Sequence, residues 1–291
     1  MLQRILVSSD CQTAGITASL MQLLDHAEIV PLPFLSDWGA MRVDEVFTQQ
    51  LAQCDVWVVD HEAFTAGQFQ GAEKLPTRIV RLPRIRFNAF HPDLIYLRCG
   101  IGGPVVSPHY QSAIIANAWK HGLSVEQTRH LFNPDVYAKL GYHQFWDRAV
   151  ARLQARFCAS GLDFSKFFLP LKRQGVFMHS VNHPRPTALV LLGRLIANQI
   201  TGDPGVFHRH VEIADTLFRD IWPVYPGVGD SLSVCTSLIW KHDDKFYQIE
   251  DFIALCFEQF NALDIEPDHL ILLNRTDNQL ERLQTVFHAV H

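Results

Sequence analysis

The apolar pattern of the first hundred residues switches repeatedly between two periods. Residues 4–8 (RILVS) form a compact apolar run that stops at Ser9-Asp10-Cys11, and residues 13–24 then carry Ile16, Leu20, Leu23 and Leu24 at helical spacing. Residues 27–32, 55–59 (DVWVV) and 77–82 are further strand candidates, and residues 41–53 put Val43, Val46, Phe47 and Leu51 on one helical face. Strands alternating with helices predict a parallel sheet with crossover helices, Rossmann-like in layout, which is a statement about architecture and not about chemistry.

Beyond residue 105 the pattern becomes mainly helical. Residues 110–121 and 125–131 are separated by Gly122-Leu123-Ser124, a helix stop followed by an N-cap with Gln127 at the capping-box position. Asn133 caps a helix whose first residue is Pro134. Residues 176–180 (VFMHS) are a strand candidate ending in Val181-Asn182-His183-Pro184, and a long apolar helix is expected over 187–200. Further helices are expected near 206–219, 249–261 and 275–290, with a Pro/Gly-rich turn at 222–227 between the first two. The expected fold class is α/β: an N-terminal Rossmann-like part over residues 1–105, followed by a mainly helical part over 106–291 packed on it. No linker composition separates them, so they read equally as one continuous domain.

Composition narrows the function classes. With 291 residues, 48% of them hydrophobic and 19% charged, the chain is neither disordered, collagen-like, coiled-coil nor a disulfide miniprotein. A formal charge of −5 argues against a generic nucleic-acid binder. No stretch reaches the roughly 18 apolar residues of a membrane span, and the first ten residues lack a secretory pattern, so a cytoplasmic location is expected. The six cysteines are scattered without a C-x-x-C pair, and no H-E-x-x-H occurs, so neither a disulfide framework nor a metal site is expected.

The sharpest local feature is Asp10-Cys11-Gln12, placed where a parallel strand ends and a helix begins. Ligands of open α/β sheets bind beyond the carboxyl ends of the strands, and a helix N-terminus favours a thiolate. The ordinary alternative is a half-buried turn cysteine beside a capping aspartate. The loop Asn182-His183-Pro184 would follow another strand and could bring His183 within reach of Cys11 as a base, or leave it a capping histidine. His91 and Asp93 lie in a connection after the fourth strand, where a plain turn is the alternative. Lys172, Arg173 and Arg185, with Arg98 and Lys120, are basic residues near the site loops and candidates for phosphate contacts. Gly229-Asp230-Ser231-Leu232 spells the string of one esterase class, but it comes late, after a Pro/Gly turn and without the downstream D-x-x-H, so Ser231 is read as a decoy.

Taken in order, ILVSSDCQ at 5–12, FHPDLIYL at 90–97, SPHYQSAIIANAWKHGLSVEQTRHLF at 107–132, VNHP at 181–184 and WPVYP at 222–226 resemble the WcbI-type polysaccharide biosynthesis family. The resemblance implies a coenzyme A-binding protein that moves an acetyl group onto a capsule sugar, with Cys11, Gln12, His91, Tyr110, Ser112 and His183 lining the site. Where that family usually has Gly-Asn-Cys-Gln, this chain has Ser9-Asp10-Cys11-Gln12. The aspartate puts a negative charge beside the thiol and raises its pKa unless a cation offsets it.

The expected function is therefore an acyltransferase, with acetyl-CoA as donor and a sugar hydroxyl as acceptor. Cys11 would take the acyl group with His183 as base and Gln12 or helix-start N–H groups holding the oxyanion, or His183 would act directly on the sugar hydroxyl. The alternatives are a coenzyme A or nucleotide-sugar binding module without turnover and, more weakly, an esterase using Ser231.

Overall fold

The computed structural model describes residues 3–32, 45–65, 76, 78–106 and 110–288. The first stretch of chain holds β1 (Gln3–Ser8), α1 (Thr13–Leu23), β2 (Ala27–Pro31), α2 (Glu45–Ala52), β3 (Val56–Asp60), α3 (His61–Thr65) and β4 (Arg78–Leu82). Then come β5 (Leu94–Cys99), β6 (Gln111–Ser112), α4 (Ala113–Lys120), α5 (Val125–His130), α6 (Pro134–Leu140) and α7 (Phe145–Ser160). Next are α8 (Phe164–Gln174), α9 (Pro186–Thr201), β7 (Asp220–Ile221), α10 (Val228–Leu232), β8 (Trp240–His242) and β9 (Lys245–Tyr247). The last elements are α11 (Ile249–Asn261), β10 (Leu270–Leu273) and α12 (Asp277–His288). The chain divides into two compact units: Met1–Arg86 with Val150–Phe218, and Phe87–Ala149 with Arg219–His291.

The first unit bears out the α/β reading. Its sheet has the order β2-β1-β3-β4 with every pair parallel, Ile5 lying opposite Ile29 on one side and Val56 on the other. All five residues of β3 are buried, as expected of a central parallel strand covered on both faces. Alternation along the strands sends Leu6, Trp57 and Val59 to one face, where they pack with Phe47 and Leu51 of α2 and Ala63 of α3. Ile5, Val7 and Val58 face the other way, the side left for the apolar faces of α1 and α9. The chain moves outward from β1 to β2, then crosses back over β1 to β3. The β1/β3 boundary is therefore the topological switch point of the sheet, beyond whose carboxyl ends ligands of such folds bind.

Helices α1 and α9 lie side by side at close range. A side chain on Gly15 would run into Leu189, and one on Gly193 would run into Ser19. The two pairs advance together along both helices, so the axes are parallel and both N-termini lie at the same end. Phe157 of α7 packs on Phe167 of α8 at 4.4 Å between ring centroids, extending the apolar interior of this unit.

The second unit combines helices with two antiparallel sheets, ordered β10-β5-β6 and β7-β8-β9. At its centre Asp93, fully buried, accepts hydrogen bonds from the Ser112 hydroxyl, Ile114 N–H (3.0 Å), Tyr142 OH (2.7 Å) and Tyr225 OH (2.8 Å). Burial and the Asp93 charge push the Tyr142 and Tyr225 phenols well above their usual range, so both remain donors.

Three local expectations are corrected. Residues 176–180 are not a strand: Met178 bridges Pro184, with His179 N–H donating to His183 C=O (2.7 Å) and Arg185 N–H to Phe177 C=O (2.9 Å). The apolar run folds back on itself into a tight hairpin. Residues 208–219 are irregular after a short 3₁₀ turn at Pro204–Phe207, where a helix over 206–219 was expected. Their anchors belong to α1 and its end: Gln22 holds both the N–H and the C=O of Glu212, and Arg209 binds Leu23 C=O and Asp25. The helix expected from residue 110 starts at Ala113, because Gln111–Ser112 pairs with β5 and Ser112 becomes the N-cap. The caps at Ser124 and Asn133 occur as expected. Residues 41–44, 77, 107–109, 289 and 290 of the expected elements lie outside the described residues.

Candidate functional site

The carboxyl end of β1 runs into a turn that is held from both sides. Thr13 N–H and its hydroxyl both donate to Asp10 C=O (3.0 and 2.8 Å), and Ser9 N–H donates to Thr13 Oγ1 (3.1 Å). Asp10 Oδ1 accepts from Gln12 N–H at 3.1 Å, closing the turn around Cys11. Cys11 is half-buried at the start of α1, whose N-cap Gln12 makes no side-chain cap. Thr13 N–H is engaged by Asp10 C=O, and the start of α1 presents the positive end of its dipole to this turn.

Gln12 connects three segments. Its Nε2 donates to Ile85 C=O (2.9 Å) and to Asn182 C=O (3.1 Å), and its Oε1 accepts from Ile85 N–H (3.2 Å). Fully buried, it ties the Cys11 turn to the segment after β4 and to the hairpin carrying His183. Both hydrogens of its amide are engaged by backbone carbonyls, so the Gln12 side chain serves here as a clasp that brings two loops together. Cys11 immediately precedes it, and His183 immediately follows its partner Asn182.

The hairpin has its own support. His179 Nε2 lies 2.7 Å from Asp215 Oδ2, anchoring the hairpin to the irregular 208–219 segment. The Ser180 hydroxyl lies 3.5 Å from Asn182 Oδ1, at the limit of a hydrogen bond. Arg185 is the exposed N-cap of α9 and makes no side-chain cap, so a second uncapped helix start, parallel to that of α1, opens two residues beyond His183. Lys172 and Arg173 sit exposed in the last turn of α8, where their charge complements the carbonyl end of that helix.

Charged residues that sequence reading passed over gather at the same sheet edge. Arg84, after β4, grips Asp60 at the end of β3 through Nε and Nη2, both at 2.9 Å, and its Nε lies 3.4 Å from Asp10 Oδ2. This is the cation that offsets Asp10. Burial raises the Asp10 carboxyl above its ordinary pKa, and the Arg84 charge offsets only part of that. On the Arg84 side burial works against the guanidinium, but the Asp60 charge and hydrogen bonds outweigh it and raise its pKa. Two residues further on, Arg86 is exposed, and its charge is felt by both Asp10 and Glu62. No motif marks these arginines; only the 2-1-3-4 strand order brings the ends of β1, β3 and β4 together.

The remaining expected site residues belong to the second unit. Ser112 is fully buried, its hydroxyl donating to Asp93 and accepting from Ile115 N–H at 3.1 Å, so it is engaged as a helix cap. His91 is 1% exposed, with Nδ1 3.4 Å from Pro223 C=O. Tyr110 is half-buried against Tyr96, ring centroids 5.8 Å apart. The Ser231 hydroxyl donates to Val228 C=O (2.7 Å) within α10. Among the described residues no group of three or more His, Cys, Asp or Glu could hold a metal ion, and no helix is long and apolar enough to cross a membrane.

The family model for the polysaccharide biosynthesis enzyme WcbI matches residues 4–203. The chain belongs to this family. The WcbI match includes both the Cys11 turn and the His183 hairpin. A solved WcbI structure superposes with a TM-score of 0.75, covering 100% of this chain and 99% of that one at 14% identity. That likeness shows the fold. The WcbI protein in it is described as a novel polysaccharide biosynthesis enzyme, in its native form without a disulfide bond between coenzyme A and a cysteine. No curated protein matches the sequence.

Proposed function

We propose that this WcbI-family chain is an acyltransferase that moves an acetyl group from coenzyme A to a sugar hydroxyl in polysaccharide biosynthesis. The observation that carries the reading is the Gln12 clasp, which holds the thiol-bearing turn and the imidazole-bearing hairpin together at the sheet's switch point. The solved WcbI structure, of a native form without a disulfide bond between coenzyme A and a cysteine, supports coenzyme A as the donor.

In this reading the Cys11 thiolate attacks the thioester carbonyl. The oxyanion that forms faces the positive end of α1, and the coenzyme thiolate leaves, taking the proton that His183 had removed from Cys11. The sugar hydroxyl then attacks the acyl-cysteine, His183 accepts its proton, and the Cys11 thiolate is released. In the direct variant His183 deprotonates the sugar hydroxyl for attack on the bound thioester, and Cys11 shapes the pocket. The two parallel helix starts, with Arg185 and Arg86 exposed beside them, suit an anionic donor with phosphates.

Intact-protein mass spectrometry after mixing with acetyl-CoA tests the chemistry. The expected result is an acetylated species that disappears in Cys11→Ala. Turnover without that species selects the direct route. Binding of coenzyme A with no consumption of acetyl-CoA by any sugar acceptor selects a binding module instead.

A further inference from the structure

We propose that Arg84 controls the thiol of Cys11 through Asp10: a buried carboxylate–guanidinium–carboxylate chain, Asp60–Arg84–Asp10, fixes how much negative charge stands beside the sulfur. Asp10 is then a positioning residue and not a ligand contact. The inference rests on Cys11 being the reacting group, and it goes beyond that reading by naming what sets the thiol's reactivity.

The geometry is asymmetric. Arg84 meets Asp60 through two hydrogen bonds of 2.9 Å, and the Nε–H used there is the same one that faces Asp10 at 3.4 Å. A nitrogen with one hydrogen serves its nearer acceptor first, so Asp60 holds the guanidinium and Asp10 receives what is left. With both carboxylates ionised the chain of three carries a net charge of −1, and its more weakly held end is Asp10, the residue before Cys11. Asp60 is fully buried and pinned further by Ala63 N–H at 2.9 Å, so it cannot swing away to hand Arg84 over.

The surroundings of Asp10 leave few other sources of compensation. Arg86 acts on it from the same segment as Arg84, Asp60 opposes it from the end of β3, and Gln12 N–H donates to its Oδ1 from its own turn. Glu62, in α3, feels the charges of Arg84 and Arg86 as well, but it accepts its hydrogen bond from Arg156 Nε at 2.7 Å. The 178–184 hairpin reaches this turn through Asn182 C=O, which accepts from Gln12 Nε2, and His183 is the titratable residue that follows Asn182 in the chain. Burial raises the Asp10 carboxyl above its usual range, which agrees with a carboxylate only partly neutralised by Arg84.

The test is the pH dependence of Cys11 alkylation by iodoacetamide in the full chain, followed by peptide mass spectrometry so that exposed Cys158 and Cys235 are scored separately. Asp10→Asn keeps the shape and the acceptor for Gln12 N–H while removing the charge. It is expected to move the midpoint of the Cys11 profile down by about one pH unit, roughly tenfold more thiolate below the midpoint. Arg84→Lys keeps the cation but loses the fork that reaches both carboxylates, and is expected to move the midpoint up. That upward shift should vanish when Asp10→Asn is already present. An unchanged midpoint in Asp10→Asn overturns the proposal, as does an Arg84→Lys shift of equal size in both backgrounds. A substitution that merely loosens the turn changes the plateau rate and leaves the midpoint in place. Because no acyl donor is present, failure of acyl transfer and failure of this charge control are read separately.

Discussion

Asp10 sits where a charge is expensive, and its linkage to stability has a definite sign. Burial raises its carboxyl pKa in the folded chain, so the protonated form is favoured by folding and the contribution is lost as pH rises through the folded value. Asp10→Asn should therefore gain stability over the natural chain as pH climbs through that range, and the two should converge at more acid pH. Thermal unfolding from acid to neutral pH checks this, and a gap that opens on acidification instead would contradict it. Cys11 and His183 were visible in the sequence because a polar break after an apolar run is a local signal. Arg84 was not, since its partners lie at the ends of two other strands and only sheet order unites them. Gln12 was visible as a site residue but not as a clasp, because its acceptors are backbone carbonyls that carry no sequence signature.

Between elements, the contact that sets the site is α1 against α9. Gly15 and Gly193 let the two helices approach closely enough for their N-termini to open side by side near Cys11 and His183. Gly193→Val places branched carbons where Ser19 now lies, and overpacking of this kind costs about 1–3 kcal/mol. The expected outcome is that loss in urea unfolding, accompanied by slower acyl transfer because the turn and the hairpin move apart. Unchanged stability would mean that the helices have slack. The strand–helix alternation of residues 3–82 was legible because each period is local and the strands are buried on both faces. The hairpin at 178–184 was not, since VFMHS has the composition of a strand but folds back on itself. The helix expected over 206–219 failed for a related reason: its backbone finds partners on Gln22 of α1, out of reach of any local pattern.

At the scale of the whole molecule, the α/β class followed from the alternation, whereas each compact unit is assembled from two separate stretches of chain. That interleaving depends on pairings such as β5 with β10, whose short apolar runs give no indication of their mates. Family membership adds what geometry alone does not, a place in polysaccharide biosynthesis. Acyl transfer at this site needs Cys11 and His183 to act as one unit, and a double-mutant cycle on thiol release from acetyl-CoA measures this directly. Residues that act together lose their joint contribution once, so Cys11→Ala, His183→Ala and the double variant should each lower the rate by a similar factor, about a hundredfold or more. If the double variant instead shows the product of two independent losses, or if His183→Ala keeps the natural rate, the two side chains do not share a reaction.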